Sequence, residues 1–171
     1  MLTRTLVNFF YDTDQGHQCY TRVTGEHRSL SFFPFTLDDV AISDIYNGLI
    51  LCWCRGADGL YHYVVYNLAT KKFKELPPSI HSVGEARLGF DPTAFLHFHV
   101  FEYMEEDGQC VGVNIYSSKT AAWIFKESKW GEEAEWTLSK SANVFLNGCL
   151  HYIGFCEGYR CILAADMEGK T

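Results

Sequence analysis

The side chains in this sequence with the most reactive potential are seven histidines (His17, His27, His62, His81, His97, His99, His151) and seven cysteines (Cys19, Cys52, Cys54, Cys110, Cys149, Cys156, Cys161). Three chemistries are open to such a set: a Cys–His nucleophile pair, a zinc site or a disulfide framework. Spacing speaks against each. The cysteine number is odd and no C-x-x-C occurs; Cys52 and Cys54, two apart, share one face of a strand, a poor start for a tetrahedral structural zinc. His97 and His99 flank Phe98 and are expected to project from one face of a strand. No H-E-x-x-H, G-x-S-x-G or phosphate-loop motif accompanies them. Asp91-Pro92 in "GFDPT" reads as a turn starter rather than an acid catalyst. The cysteines are therefore expected to be small buried hydrophobes in a reducing compartment, no metal or cofactor is expected, and the chain reads as non-enzymatic.

The elements that carry these residues repeat. "VYNLATKKFKELP" at 65–77 is echoed by "IYSSKTAAWIFKE" at 115–127: Tyr66 to Tyr116, Thr70 to Thr120 and Phe73 to Trp123 are each 50 residues apart. Asn47-Gly48 and Asn147-Gly148 stand 100 apart, two periods, with His97-Phe98 between them. Asp58-Gly59, Asp107-Gly108 and Glu157-Gly158 follow at intervals of 49 and 50. A fixed period of this size is the mark of a repeat architecture. Asn-Gly is the strongest short hairpin signal, since both residues tolerate the positive φ of a type I′ turn. Asn67 suits a turn because its side chain can accept from backbone two residues on.

Each period reads as a four-stranded antiparallel unit. "DVAISDI", "LILCWC", "YHYVVY" and "KFKEL" form one over 37–77. "ARLGF", "HFHVFEYM", "VGVNIY" and "AWIFKE" form the next over 86–127, and "NVFL", "CLHYIGF" and "CILAAD" begin a third over 136–171 that lacks its fourth strand. Residues 1–30 supply two strands, "LVNFFY" and "QCYTRV", as the end of a preceding unit. The predicted fold is all-β, an incomplete β-propeller of about three four-stranded blades, where closed propellers usually have about four to eight. The 27 aromatic residues among 171 (13 Phe, 10 Tyr, 4 Trp) agree with half-buried strands. Trp53, Tyr66, Tyr116 and Trp123 recur inside strands and are expected to pack blade against blade.

Fourteen basic residues against 21 acidic give a net charge of -7. Nucleic acid is not an expected partner, because the only basic pairing is Lys71-Lys72. The amino terminus "MLTRTLVNFFYDTD" has one short apolar run broken by Asn8 and Asp12, so neither a signal peptide nor a membrane span is expected. The expected location is the cytoplasm, the nucleus or both.

In order along the chain, "YNGLILCWC", "VYNLATKKFKELPP", "RLGFDPTAFLHFHVFEYM", "GVNIYSSKTAAWIFKESKW" and "VFLNGCLHY" resemble the F-box-associated, kelch-like propeller of plant F-box proteins, from about Leu6 to Lys170. The resemblance implies a recognition module: in that family an amino-terminal F-box docks on Skp1 in a cullin-based ubiquitin ligase, and the propeller holds the substrate. No helical F-box period precedes "LVNFFY", so Skp1 is not an expected partner of this chain as it stands. The alternative is a truncated relative acting as decoy, inhibitor or protector, binding a partner without ubiquitin transfer.

Propeller topology places short turns on one face and the longer two-to-three loops and interblade links on the other. That second face is where binding residues are expected. It carries Asp58, Glu85, Glu105, Glu106, Asp107, Glu132, Glu133, Glu135 and Glu157 against Arg55, Lys129 and Arg160. An imbalance of this sign would steer a basic protein partner; equally, the acids serve solubility. Trp130 in "ESKWGEEAEW" is the candidate exposed anchor, with a buried role as its alternative. Unfinished blades leave strand edges and an apolar side open, so a homo-oligomer, a partner that completes the ring, or poor solubility is also expected.

Overall fold

The computed structural model describes residues 8–12, 18–22, 27–28, 40–56, 59–79, 86–94, 96–106, 109–127, 134–135, 143–156 and 159–168; of these, residues up to 28 and residues 105–106, 109–110, 134–135 and 154–156 are described by backbone alone. Every strand pairing is antiparallel, and no helix occurs among the described residues. β1 (Asn8–Asp12), β2 (Gln18–Arg22) and β3 (His27–Arg28) make a first sheet, which has one strand more than the two expected from the sequence. β4 (Val40–Tyr46), β5 (Leu49–Arg55), β6 (Tyr61–Asn67) and β7 (Lys72–Glu75) make a four-stranded meander. β8 (Ala86–Gly89), β9 (His99–Glu106), β10 (Gln109–Ser117) and β11 (Ala122–Glu127) repeat it. β13 (Asn143–Leu146), β14 (Cys149–Cys156) and β15 (Tyr159–Asp166) make the last blade. Between these two blades, β12 (Ala134–Glu135) pairs with both β10 and β14, joining them into one sheet path where the sequence had read "SKWGEEAE" as a loop.

The repeat is visible in the turn chemistry. Asn47 and Gly48 have φ 46 and 84, and Asn147 and Gly148 have φ 52 and 80, so both two-residue hairpin turns use the left-handed region twice in succession. The backbone of the second turn closes on a third strand each time: Leu68, Ser118 and Met167 donate their N–H to the carbonyls of Gly48, Phe98 and Gly148 at 3.0, 3.0 and 3.1 Å. Phe98 thus fills the place of the turn glycine in a blade that has lost the dipeptide. At the next turn, Lys71 and Ala121 both have φ 56 and donate to the carbonyls of Asn67 and Ser117 at 2.8 Å. The Asn67 side chain accepts from the N–H of Ala69 and Thr70, both at 2.9 Å, an Asx turn that satisfies donors the ladder leaves behind. Asp91 does the same for Thr93, whose N–H and hydroxyl both donate to it.

Alternation along each strand gives every blade two packing faces. Leu49, Leu51, Tyr63 and Val65 of the β4–β7 sheet meet Ala86, Leu88, Val100 and Tyr116 of the next. From that sheet's opposite face, Phe101, Tyr103, Val113 and Ile115 meet Phe145, Leu150, Tyr152, Leu163 and Ala165 of the last blade. Ile50, Cys52, Cys54, Val64 and Tyr66 form a third buried cluster on the far side of the β4–β7 sheet. Trp53 and Trp123 pack half-buried against the first cluster, while Tyr66 and Tyr116 are fully buried.

The first strands of successive blades, β4, β8 and β13, lie beside one another across the blade boundaries. A register irregularity between Ile42 and Asp44 falls beside the Asp44 carboxylate, which accepts from Ile45 N–H at 2.8 Å and, across the blade boundary, from Leu88 N–H at 2.7 Å. Such bulges re-aim a side chain out of the ladder. Tyr46 donates its hydroxyl to the Phe145 carbonyl at 2.8 Å, spanning from the β4 blade to the last one. Asn47 donates to the Phe90 carbonyl, also at 2.8 Å.

Candidate functional site

Of the histidines and cysteines that opened the chemical question, the structure describes the side chains of His62, His97, His99, His151, Cys52, Cys54, Cys149 and Cys161. Among the described residues no three of His, Cys, Asp and Glu form a group fit to hold a metal ion. Cys52, Cys54, Cys149 and Cys161 are free thiols, the first two buried on one face of β5. The hydrogen bond with Cys54, and then burial, push the Cys52 thiol far above its ordinary range, while the same bond lowers the Cys54 thiol. His97 does not alternate with His99 in a strand as expected: it lies exposed in a bend, and β9 begins at His99. Burial and then the neighbouring His97 lower the His99 pKa, which keeps that imidazole neutral.

A buried polar knot sits at the seam between blades, where the link after β7 crosses to β9. Glu102, wholly buried, accepts from the Ser79 hydroxyl and from Asn114 Nδ2 at 3.2 Å, while Asn114 also donates to Ser79 Oγ at 3.0 Å. Burial, then the charge of Glu102 and a hydrogen bond to it, push the Tyr63 hydroxyl far above its ordinary pKa. Trp123 Nε1 donates to the Pro77 carbonyl at 2.8 Å, and Lys74 lies over the Tyr116 ring at 5.6 Å. Its two buried members, Glu102 and Asn114, fasten one blade to the next, while Ser79 stays partly exposed at the edge of the seam.

The solvent-facing feature is the rim where second and third strands of each blade join. At β5–β6 the chain turns through Gly59, φ 78, with Gly59 N–H donating to Gly56 O at 3.0 Å and Gly56 N–H to Leu60 O at 2.7 Å. The positive φ explains why a glycine follows the acidic residue here. Arg55 and Tyr61 face each other across the ladder, and Arg55 Nε donates to Gly59 O at 3.3 Å. Tyr61 stacks on Trp53, centroids 5.6 Å apart and planes 4° from parallel. Large apolar surface is nevertheless left open: Leu60 is 60 % exposed, Tyr61 51 % and, at the matching β14–β15 rim, Tyr159 77 %, next to exposed Arg160. Aromatic and arginine side chains held on rigid strands are the residue types that anchor protein interfaces.

The expected binding residues divide accordingly. Arg55 and Arg160 lie on this rim, at the end of β5 and the start of β15 rather than in loops, because the ladders run further than the sequence signalled. Glu105 and Glu106, also expected in a loop, belong to β9 and pair with Cys110 and Gln109; their side chains lie outside the described residues. Asp107-Gly108 alone joins β9 to β10. Asp58, Glu85, Asp107, Lys129, Trp130, Glu132, Glu133 and Glu157 lie outside the described residues, as does the Glu135 side chain. Leu60, Tyr61 and Tyr159 were not singled out by sequence reasoning. Their signal was present in the tyrosine that closely follows two of the three acidic-glycine pairs, in "DGLY" and "EGYR".

A search of curated proteins returned no match. Repeating antiparallel blades, first strands in contact across the blade boundaries and a 50-residue period describe a propeller segment, and over residues 8–165 the sequence matches the model of the F-box associated beta propeller domain; the chain belongs to that family.

Proposed function

We propose that this chain is a protein-binding module that holds its partner on the β5–β6 and β14–β15 rim, the substrate-recognition role within a plant F-box protein of a Skp1–cullin–F-box ubiquitin ligase, acting in the cytoplasm or nucleus. The observation that carries the reading is the pairing of exposed Leu60, Tyr61 and Tyr159 with Arg55 and Arg160 on rigid strand ends. Family membership supports it, since F-box associated domains are protein-interaction modules. No reaction chemistry is required: the rim works by excluding water around a few anchors, each of which contributes about 2 kcal/mol or more when it is a hot spot.

The test is affinity capture from plant extract with quantitative mass spectrometry, comparing the chain with an Arg55→Ala/Tyr61→Ala/Tyr159→Ala variant whose melting temperature is measured alongside. A protein retained by the first and reduced at least about tenfold with the folded variant supports the rim, since 1.4 kcal/mol is a factor of ten. Equal capture by both removes it. Skp1 in the eluate separates a ligase receptor from a module that binds without delivery.

A further inference from the structure

The fourth strands of the two complete blades carry a charge of the opposite sign to the chain as a whole. β7, β11 and the turns that lead into them, residues 68–75 and 118–127, hold five exposed lysines (Lys71, Lys72, Lys74, Lys119, Lys126) against two glutamates, on a chain whose net charge is -7. Strand alternation sorts these residues by face. Lys72 and Lys74 stand opposite Asn67 and Val65, on the face of β7 that turns toward the next blade, where the Lys74 ammonium lies over the Tyr116 ring. Glu75 turns to the other face and meets His62 Nδ1 at 3.6 Å. Among the described residues neither Lys72 nor Lys74 pairs with a carboxylate. From across the boundary β11 presents Trp123, Phe125 and Glu127, set opposite Tyr116, Asn114 and Gly112 on one face. The Trp123 ring is half-buried and Phe125 is 42 % exposed.

We infer that the outer seam between β7 and β11 holds an extended acidic segment of a partner protein, whose carboxylates pair with Lys72 and Lys74 while apolar side chains two residues apart pack on Trp123 and Phe125. The interval follows from alternation: Trp123 and Phe125 share a face two residues apart, and an extended segment lying along them presents alternate side chains at the same spacing. Aromatic rings supply the contact that excludes water, and the lysines supply the selection. A surface of net charge -7 repels an acidic segment in general, so a local excess of lysine decides where such a segment lands. A broad anionic surface such as a membrane is a poorer occupant. Glu75 and Glu127 directly follow Lys74 and Lys126 in the chain, well within a Debye length of about 8 to 10 Å, and a wide surface would meet them too. Glu127 also bounds the site beyond Phe125. This seam uses none of the anchors of the Arg55–Tyr61 rim.

The probe is a dye-labelled synthetic peptide, acetyl-Glu-Asp-Glu-Leu-Glu-Phe-Glu-Asp-amide, titrated with the whole chain and followed by fluorescence anisotropy. Saturable binding is expected, weakening at least about threefold between about 50 and about 300 mM salt. The Lys72→Glu/Lys74→Glu variant should bind at least about tenfold more weakly, and Phe125→Ala at least about threefold, each with its melting temperature measured alongside. A peptide with Gln and Asn in place of its acids should not bind. The Arg55→Ala/Tyr61→Ala/Tyr159→Ala variant should bind the acidic peptide as the parent does. The absence of saturable binding overturns the proposal, as does equal affinity for the uncharged peptide or of the folded lysine variant. Weakening by the rim variant would assign the peptide to the rim instead. Capture by vesicles rich in anionic lipid without binding of the peptide would assign the lysines to a membrane, and also overturns it.

Discussion

Asp44 shows how a single side chain ties two blades. Its two oxygens take the N–H groups of Ile45 and Leu88, one on each side of the boundary. Burial raises its pKa, against the lowering influence of those two N–H groups and of Arg87. A carboxyl whose folded pKa lies above its unfolded one contributes stability that is fully present below the unfolded value and is lost as pH rises through the folded value. Comparing the chain with Asp44→Asn by urea unfolding from pH 4 upward, the margin in favour of the parent should therefore narrow as pH rises. A margin that widens would contradict the shift. Glu102 is a second such tie. Glu102→Ala would strip the acceptor from Ser79 and from the buried Asn114, with an expected loss of about 2 to 4 kcal/mol in the same measurement. Glu102→Gln, which keeps an acceptor oxygen, should lose less.

At the scale of elements, the hairpin turns and the blade contacts make separate demands on glycine. Gly48 and Gly148 both sit in the left-handed region, φ 84 and 80, so Ala at either is strained by conformation; about 1 to 2 kcal/mol is expected at each. Gly89 is different. A Cβ there would stand 2.6 Å from Phe101 Cε2 and 2.8 Å from Phe145 Cδ2, wedging the two aromatic rings that join the middle and last blades. Gly89→Ala should cost about 1 to 3 kcal/mol by overpacking. A Phe145→Leu background should relieve that cost and leave the Gly48→Ala cost unchanged, which a double-mutant cycle of melting temperatures would resolve.

For the whole molecule, stability is a series of nearest-neighbour faces. Removal of residues 143–171 would bare Phe101, Tyr103, Val113 and Ile115, all of which are buried against the last blade. The shortened chain is expected to bind a hydrophobic dye strongly and to associate on size-exclusion chromatography, where the intact chain of net charge -7 is better protected. A dispersed, dye-silent product would show that the blades are less interdependent than their clusters imply.

Residues 50 apart by themselves determined the all-β class, the propeller repeat and the turn chemistry, because local backbone preferences and strand alternation are written in adjacent residues. Asn47, Asn67 and Asn147 are legible for that reason. The tertiary structure alone decided which long-range partners meet: the Asp44–Leu88 and Tyr46–Phe145 bonds, the buried Glu102 seam, the β12 bridge and the extension of β9 through Glu106. Only the packed blades showed that Tyr61 and Tyr159 stay open while Tyr66 and Tyr116 close. All four are tyrosines in or beside strands; Tyr116 closes in the cluster between two blades and Tyr66 in the one on the far face of its own sheet, and burial by segments distant in sequence leaves no local trace in the chain.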